Sequence, residues 1–141
     1  MIIDANVLVY AVDEDARYHA QAKAFLEEHL NGDRRIGLPW QSLAAFLRIV
    51  THPRIMTTPM DGSSAAGFVN DWLDAPAAWV PDVTSRTWPI LHDLIDAHAV
   101  TGNLVPDAQL AAIAIQHGVS VVSADTDFAL FPEVVWVNPF E

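Results

Sequence analysis

The fold class is decided by the stretch Pro106-Asp-Ala-Gln-Leu-Ala-Ala-Ile-Ala-Ile-Gln-His-Gly118-Val-Ser-Val-Val122. Proline is favoured at the first position of a helix and glycine just after the last, so this spacing predicts a helix that ends at Gly118. The apolar run from Val119 to Val122 follows at once and predicts a buried strand. A helix that leads directly into an apolar strand is typical of parallel α/β winding.

Further elements are predicted on the N-terminal and C-terminal sides of this stretch. Short apolar segments indicate strands at residues 1–3, 35–38, 79–80 and 134–137. Helices are expected at residues 15–30 and 39–50, from a cap at Asp61 or Ser63 to about Asp74, and after a cap at Thr84. The proline-rich patches at 53–59 and 76–81 are short enough to be loops. The sequence therefore predicts a single α/β domain over residues 1–141, with a parallel twisted sheet of about four or five strands flanked by helices.

The composition is that of a folded, acidic chain. Hydrophobic residues make up 52% and charged residues 18%, which provides enough apolar material for a core and too few charges for disorder. Asp and Glu number 18 against 7 Lys and Arg, a net charge of −11. This balance argues against a non-specific nucleic-acid coat, which neutralises phosphates with basic residues. It allows a divalent-cation site, a basic partner, or a charge that only keeps the protein soluble.

The chain contains no cysteine, which excludes disulfides and thiolate zinc sites and fits a reducing cytosol. No basic segment precedes Asp4, so no signal peptide is expected. No uninterrupted apolar run is long enough to cross a membrane. We expect a cytoplasmic protein without a membrane partner.

Four acids stand where parallel α/β proteins place their ligands. Asp4 and Asp125 follow predicted strands, Asp127 comes two residues later, and Asp107 lies in the first turn of a predicted helix. Ligands in such sheets bind beyond the carboxyl ends of the strands. Magnesium takes oxygen ligands and usually keeps several waters, so a few carboxylates from distant parts of the chain are sufficient to hold it. A bound metal ion would lower the pKa of a water and polarise a phosphodiester, which favours in-line hydrolysis.

Most of these acids also have a purely structural interpretation. The helix macrodipole favours Asp107 in a first turn whatever its function. Asp125 and Asp127 are typical residues for capping a turn after a strand. Asp4 has the weakest structural explanation, because an acid directly after a short buried strand is not needed for folding.

Three motifs in this order resemble those of PIN domains. The chain begins Met1-Ile-Ile-Asp4-Ala-Asn6-Val-Leu-Val-Tyr-Ala, and PIN domains carry an Asp and a nearby Asn after their first strand. The segment Asn103-Leu-Val-Pro-Asp107-Ala-Gln-Leu-Ala-Ala-Ile-Ala resembles their Asp-bearing helix. Val122-Ser-Ala-Asp125-Thr-Asp127-Phe128 resembles their strand-end acid with a second Asp and a Phe.

Further motifs resemble one branch of that family, the VapC-type toxins of bacterial type II toxin–antitoxin systems. These motifs are Gly37-Leu-Pro-Trp40, Phe46-Leu-Arg48 with Thr51-His-Pro-Arg54, and the ending Trp136-Val-Asn-Pro. The resemblance implies a doubly wound PIN-like sheet, a Mg²⁺ or Mn²⁺ cofactor, and endonucleolytic cleavage of cellular RNA, with tRNA or rRNA as candidate substrates. It also implies a homodimer and a cognate antitoxin of the VapB type, and the acidic charge favours a basic one.

The resemblance also assigns roles to the site residues. Asp4 and Asp107 would hold the principal metal ion. Asp125 would complete the site directly or through water, with Asp127 as outer support. Asn6 would hydrogen-bond to Asp4 and hold its rotamer, although a simple helix cap is the structural alternative. No side chain is a good nucleophile, so water is the expected attacking group.

The chain departs from the family pattern in the helix after the second strand. PIN domains commonly carry a Glu there, yet residues 39–51 contain no acid. Depending on the alignment, Gln41 or Phe46 occupies that place, and an amide oxygen at Gln41 would contact a metal-held water without adding charge. Without that acid, the residues leave open whether one or two metal ions are bound. Ala5 also replaces the small hydroxyl residue often found between the Asp and the Asn.

Arg48, His52 and Arg54 are the nearest approach to a basic cluster. At helical spacing Arg48 and His52 would share a face and contact RNA phosphates or a partner's acids. A solvated helix end explains them equally well.

Two other functions remain open. An aspartyl-phosphate phosphohydrolase also uses Asp after a strand with Mg²⁺, but it needs a second Asp where this chain has Asn6 and a downstream Lys, whereas Lys23 is the only lysine. A catalytically inactive PIN-fold binding module is the other alternative, since the missing Glu would then mark lost activity.

Overall fold

A computed structural model describes all residues, 1–141, and contains one five-stranded sheet in which every pairing is parallel. The strand order is β3-β2-β1-β4-β5. The strands are β1 (Ile2–Ile3), β2 (Ile36–Gly37), β3 (Ala78–Trp79), β4 (Val121–Val122) and β5 (Trp136–Val137). The predicted parallel α/β fold is confirmed, and each observed strand overlaps a predicted one.

Six helices connect and flank these strands. They are α1 (Ala5–Val12), α2 (His19–Leu30), α3 (Trp40–Val50), α4 (Gly62–Asp74), α5 (Thr87–His98) and α6 (Val105–His117). Asp61 caps α4 by accepting a hydrogen bond from the Ser64 backbone N–H. At the end of α6, Gly118 adopts the left-handed conformation, with φ of 65°, that its place in the sequence predicts. No helix is both long enough and apolar enough to span a bilayer.

The sequence prediction missed one helix and misplaced the starts of two others. Helix α1 is absent from the predicted elements, because its apolar and β-branched residues carry no helical periodicity. Helix α2 begins at His19 rather than near Asp15, and turns precede it. Helix α5 begins at Thr87, three residues after the expected cap at Thr84.

Two apolar layers bury the sheet on both faces. Helices α1 to α4 pack together on one side, and α5 packs on α6 on the other. Consecutive residues of one strand enter opposite layers: Ile3 and Val122 lie in the first core, whereas Ile2 and Val121 lie in the second. Burial on both faces explains why these strands are continuously apolar rather than alternating.

The strand order sets the position of the candidate site. Strands β1 and β4 are neighbours at the centre of the sheet, with Ile2 paired to Val121 and Ile3 to Val122. The connections from β1 lead away on one side to β2 and β3, while β4 and β5 lie on the other. This reversal of winding direction opens a crevice beyond the carboxyl ends of β1 and β4, where such sheets bind ligands.

Candidate active site

Asp4 directly follows β1 and is the first residue of the site along the chain. Its backbone N–H donates to the carbonyl oxygen of Val122 at 2.9 Å and so continues the β1–β4 pairing by one residue. Its side chain caps α1, because Oδ1 accepts a hydrogen bond from the Ala5 N–H at 2.8 Å. Oδ1 of Asp4 therefore caps the helix, and Oδ2 is free to bond with residues that follow the neighbouring strand, β4.

A hydroxyl and an amide fix that second oxygen. Ser123 Oγ donates to Asp4 Oδ2 at 2.7 Å, and Asn6 Nδ2 donates to the same oxygen at 3.2 Å and to Ser123 Oγ at 3.0 Å. Asn6 Oδ1 accepts from the Ala124 N–H at 3.1 Å. Ser123 Oγ also accepts from the Asp125 N–H at 3.0 Å, so its one donor and two acceptor positions are all used. The network ties the carboxyl end of β1 to that of β4.

Asp125 and Asp127 lie just beyond β4. Asp125 caps the short 3-10 helix Thr126–Leu130, and its Oδ1 accepts from the Asp127 N–H at 2.9 Å. The structural interpretation of Asp125 as a turn cap is therefore correct, and it does not conflict with a ligand role because the second oxygen stays free of that bond. Asp127 is exposed.

Asp107 lies in the first turn of α6, whereas Asp4 and Asp125 follow the strands β1 and β4. One carboxylate oxygen from each of Asp107, Asp125 and Asp127 lies within 4.8 Å of the others. Asp107 also lines, together with Asp4, a cavity of about 100 Å³. The fold thus brings together all four acids that the sequence singles out, with Asp107 shared between the two groups.

Burial and mutual repulsion oppose ionisation of this cluster. Burial is the main reason that the pKa of Asp107 rises to about 7, and the charges of Asp125, Asp4 and Asp127 add to it. Burial also raises the pKa of Asp4, and the hydrogen bonds from Ser123 and Ala5 partly offset that rise. A divalent cation would lower both pKa values, because its positive charge stabilises the ionised carboxylates. The donor set is all oxygen, which fits Mg²⁺ or Mn²⁺ rather than a soft metal.

Helix α3 forms the wall of the cavity opposite α6. The cavity residues besides Asp4 and Asp107 are Ala5, Gln41, Ser42, Ala45, Pro106, Gln109 and Leu110. Gln41 is therefore on the site side of α3. Phe46 is fully buried and packs edge-on against Trp72 at a ring-centroid distance of 4.8 Å, so it belongs to the core. Of the two residues proposed for the place of the missing Glu, only Gln41 faces the carboxylates.

The basic cluster is not assembled as expected. Helix α3 ends at Val50, so Arg48 and His52 do not share a helical face and that prediction is wrong. His52 lies in the following turn, where Nδ1 accepts a hydrogen bond from the Arg54 N–H at 3.0 Å. None of the three basic residues lines the carboxylate cavity.

Two hydroxyl residues of the site were not predicted from the sequence. Ser123 is buried and central to the network around Asp4, and Ser42 is buried on the cavity wall. The only available signal for Ser123 was its place between an apolar strand and Asp125, a polar residue where the strand ends. Ser42 had no signal, because a lone serine in a helix is compatible with many environments.

The chain belongs to the PIN domain family, whose family model matches residues 1–134. The resemblance inferred from the motifs is thereby confirmed. Among similar proteins, Ribonuclease VapC37 of Mycobacterium tuberculosis is 39% identical over 98% of this chain and 96% of its own length. Ribonuclease VapC43 of the same organism is 38% identical over 100% of this chain and 96% of its own length.

Solved structures share the fold at low sequence identity. VapBC2 from Rickettsia felis, solved with a DNA fragment from their promoter, aligns with a TM-score of 0.71 at 17% identity, covering 97% of this chain and 96% of that one. VapBC-1 from nontypeable Haemophilus influenzae aligns with a TM-score of 0.71 at 10% identity, covering 99% and 98%. The predicted PIN-like architecture is therefore confirmed.

Proposed function

We propose that this protein is the toxin of a toxin–antitoxin pair and acts as a Mg²⁺- or Mn²⁺-dependent endoribonuclease. The observation that carries the proposal is the position of Asp107, which shares a cavity with Asp4, lies within 4.8 Å of Asp125 and Asp127, and has its pKa raised to about 7. The names of the whole-chain relatives, which are ribonucleases, support the reaction class.

Each acid has a distinct part in holding the metal ion. Asp4 and Asp107 would bind it, Asp125 would complete the site directly or through water, and Asp127 would act as an outer support. When bound, the cation activates water and polarises the phosphodiester. Asn6 and Ser123 hold the Asp4 carboxylate in one rotamer, which preserves the ligand geometry without further reorganisation. No residue of the cavity wall is a Cys, Lys or His, so a covalent route through such a nucleophile has no support.

The substrate is RNA, with tRNA or rRNA as the candidate classes. Single-stranded loops present splayed phosphates and bases that reach a shallow cleft more easily than a duplex does. The chain has only 7 Lys and Arg residues, and none of them lines the carboxylate cavity. Arg48, His52 and Arg54 remain candidates for contacts with phosphates or with a partner's acids, outside the carboxylate cavity.

The proposal is tested by cleavage of purified RNA with Mg²⁺ or Mn²⁺, with EDTA, and with an Asp4→Ala variant. We expect cleavage by the parent with metal and none with EDTA or with Asp4→Ala. Asp33→Ala removes an exposed acid elsewhere and is the matched control. A similar rate from Asp4→Ala, with no effect of EDTA on the parent, would disprove the metal-nuclease proposal. A folded parent that binds no metal in calorimetry would instead indicate an inactive binding module.

A groove that shares no residue with the carboxylate cavity fits an antitoxin helix. Helices α1, α2 and α4 enclose a cavity of about 360 Å³ with an apolar floor that includes Leu26, Leu30 and Trp72. Three acids, Glu27, Asp71 and Asp74, and one basic residue, Lys23, also line it, so acids outnumber bases there. A second cavity of about 320 Å³ shares Val12 and Phe68 with the first and is lined by Asp13, Glu14 and Asp15. An amphipathic helix with basic residues matches this combination of apolar floor and acidic rim.

The antitoxin would silence the enzyme by charge. An Arg or Lys from its tail would pair with Asp4, Asp107 or Asp125 and displace the cation, and arginine makes such contacts strongly and with defined geometry. The test is co-expression with the neighbouring small gene, followed by pull-down and a cleavage assay. Failure of the pair to associate, or association with cleavage undiminished, would reject the inhibitory partner while leaving the nuclease proposal intact.

We also propose that the protein is a homodimer, as its resemblance to VapC toxins implies. Large apolar side chains are exposed on more than one element, including Trp88 on α5 and Trp40 on α3. Sedimentation equilibrium of the purified chain would test this, and a monomer at micromolar concentration would reject it.

A further inference from the structure

Helix α3 places Ser42 on the wall of the cavity that Asp4 and Asp107 line. Ser42 is only 2% exposed, and its Oγ is the one buried side-chain polar atom without a hydrogen-bond partner in the protein. Its backbone is satisfied, because its N–H donates to the carbonyl oxygen of Pro39 at 2.9 Å. The unpaired group is therefore the hydroxyl alone, on a residue that forms part of the cavity wall.

An unpaired buried hydroxyl is costly and normally avoided. Leaving such a group without a partner costs about 1–3 kcal/mol. A helical Ser or Thr usually escapes this cost by donating to a carbonyl one turn earlier. Thr51, at the end of the same helix, does so: its Oγ1 donates to the Leu47 carbonyl oxygen at 2.7 Å. Ser42 makes no such bond.

The cavity beside Ser42 has the size and chemistry of a hydrated ion's surroundings. Its volume of about 100 Å³ corresponds to about three water molecules, at roughly 30 Å³ each. Two carboxylates, from Asp4 and Asp107, lie on its other walls, and the Gln41 amide lies on the same wall as Ser42. A cation with part of its water shell fits such a space.

We propose that Ser42 is the α3 contact for the hydrated cation, with its Oγ hydrogen-bonded to a water in the hydration shell of the ion held by Asp4 and Asp107. The proposal rests on the metal-dependent function proposed above. Ser42 is a positioning residue, because it acts through the water. Residues 39–51 contain no acid, so the hydroxyl orders the shell on this side without adding charge. The hydroxyl then gains its missing partner when the ion binds.

The test compares Ser42→Ala with the parent in three measurements. These are Mn²⁺ affinity by calorimetry, water-proton relaxation by the bound Mn²⁺, and the thermal midpoint of the metal-free protein in EDTA. We expect Ser42→Ala to bind Mn²⁺ about tenfold more weakly, the lower end of the loss typical of outer-shell partners. The exchange of bound water should accelerate, while the metal-free midpoint stays the same or rises, because the lost hydroxyl had no partner in the protein. Ser63→Ala, exposed on α4, is the control and should change nothing.

The outcomes separate this inference from the function on which it rests. A parent that binds no Mn²⁺ would reject the metal-dependent function itself. A parent that binds, with Ser42→Ala equal to it in affinity and water exchange, would overturn the role of Ser42 alone. A marked fall in the metal-free midpoint of Ser42→Ala would also overturn it, since the hydroxyl would then serve the fold. Ser42→Cys replaces the hydroxyl with a somewhat larger, weakly hydrogen-bonding thiol, so it should reproduce the loss of affinity seen with alanine.

Discussion

Two regions of this molecule are rich in acids, and they differ in how those acids are held. In the cleft at the carboxyl ends of β1 and β4, Asp4 accepts hydrogen bonds from fixed neighbours and Asp107 is half-buried with a raised pKa. Around the groove between α1, α2 and α4, Glu27 and Asp71 are exposed and stand at the rim of an apolar floor.

The difference shows that burial, rather than residue type, decides what an acid does. The cleft carboxylates repel one another in a partly desolvated place, so they need a cation or a proton. The rim carboxylates are solvated, so they repel one another only weakly and are stable without a bound cation. Their electrostatic field can still attract a basic partner over a distance. Substitutions in the two regions should therefore have separable effects.

Asp107→Ala should abolish metal binding and cleavage while leaving partner capture intact. Loss of a direct anionic ligand should weaken Mn²⁺ affinity by more than about a hundredfold, the upper end of the loss that outer-shell substitutions cause. Calorimetry, a cleavage assay and a pull-down measure the three properties. Asp71→Ala, in the groove, is the paired variant and should keep metal binding. Parent-like cleavage by Asp107→Ala would remove the distinction between the two regions.

Asn6→Ala should weaken Mn²⁺ affinity by about tenfold to a hundredfold, because Asp4 Oδ2 and Ser123 Oγ both lose a donor and the carboxylate is freer to rotate. Affinity is measured by calorimetry. The control is Asn70→Ala, which removes an exposed amide on α4 and should have no effect. Equal affinities for the two variants would mean that Asn6 caps the chain without supporting the ligand.

Gln41→Glu should tighten Mn²⁺ binding by about tenfold, because a carboxylate on the α3 wall adds attraction in a partly desolvated cleft. The control is Gln21→Glu, which adds the same charge at an exposed position of α2. Titration calorimetry of both variants measures the difference. Unchanged affinity in Gln41→Glu would show that this side chain turns away from the ion in solution.

Asp107→Asn should stabilise the metal-free protein at pH 8. The unfolded chain releases this proton near pH 3.8 and the folded protein near pH 7, so the folded state holds the extra proton between them. The free energy of unfolding therefore falls as pH rises through that window, and the neutral amide removes the fall. The gain should be on the order of 1 kcal/mol, a few degrees in Tm, after discounting for the half-exposed position. Thermal scans in EDTA at pH 5 and pH 8 would show it, and an equal pH dependence in both proteins would contradict it.

Asp71→Lys should have the smallest effect and should leave the cleft untouched. Reversing one solvated rim charge should slow association with a basic partner by about threefold, and the slowing should vanish at high salt. Stopped-flow association at two salt concentrations measures this. A large, salt-independent loss would instead mean that Asp71 is desolvated within the partner contact.

The positions of the site's acids on their helices and strands were predictable from the sequence, because they depend on local patterns of capping and hydrophobicity. Pro106 and Gly118 bracket a helix, Val121 and Val122 form a buried strand, and parallel winding then places Asp125 at a carboxyl edge. Helix α1 escaped prediction because its side chains are buried around most of the helix, which erases the periodicity that distinguishes a surface helix from a strand.

Periodicity, capping and motif order are properties of the linear chain, so they are sufficient to predict the parallel fold, the places of the four acids and the resemblance to PIN domains. The contacts between distant side chains depend on tertiary packing. Strand order places Ser123 against Asp4 although 119 residues separate them, and the packing of α3 places Gln41 and Ser42 on the wall of the carboxylate cavity while Phe46 enters the core. Contacts of this kind depend on how whole elements stack, and no local pattern encodes that arrangement.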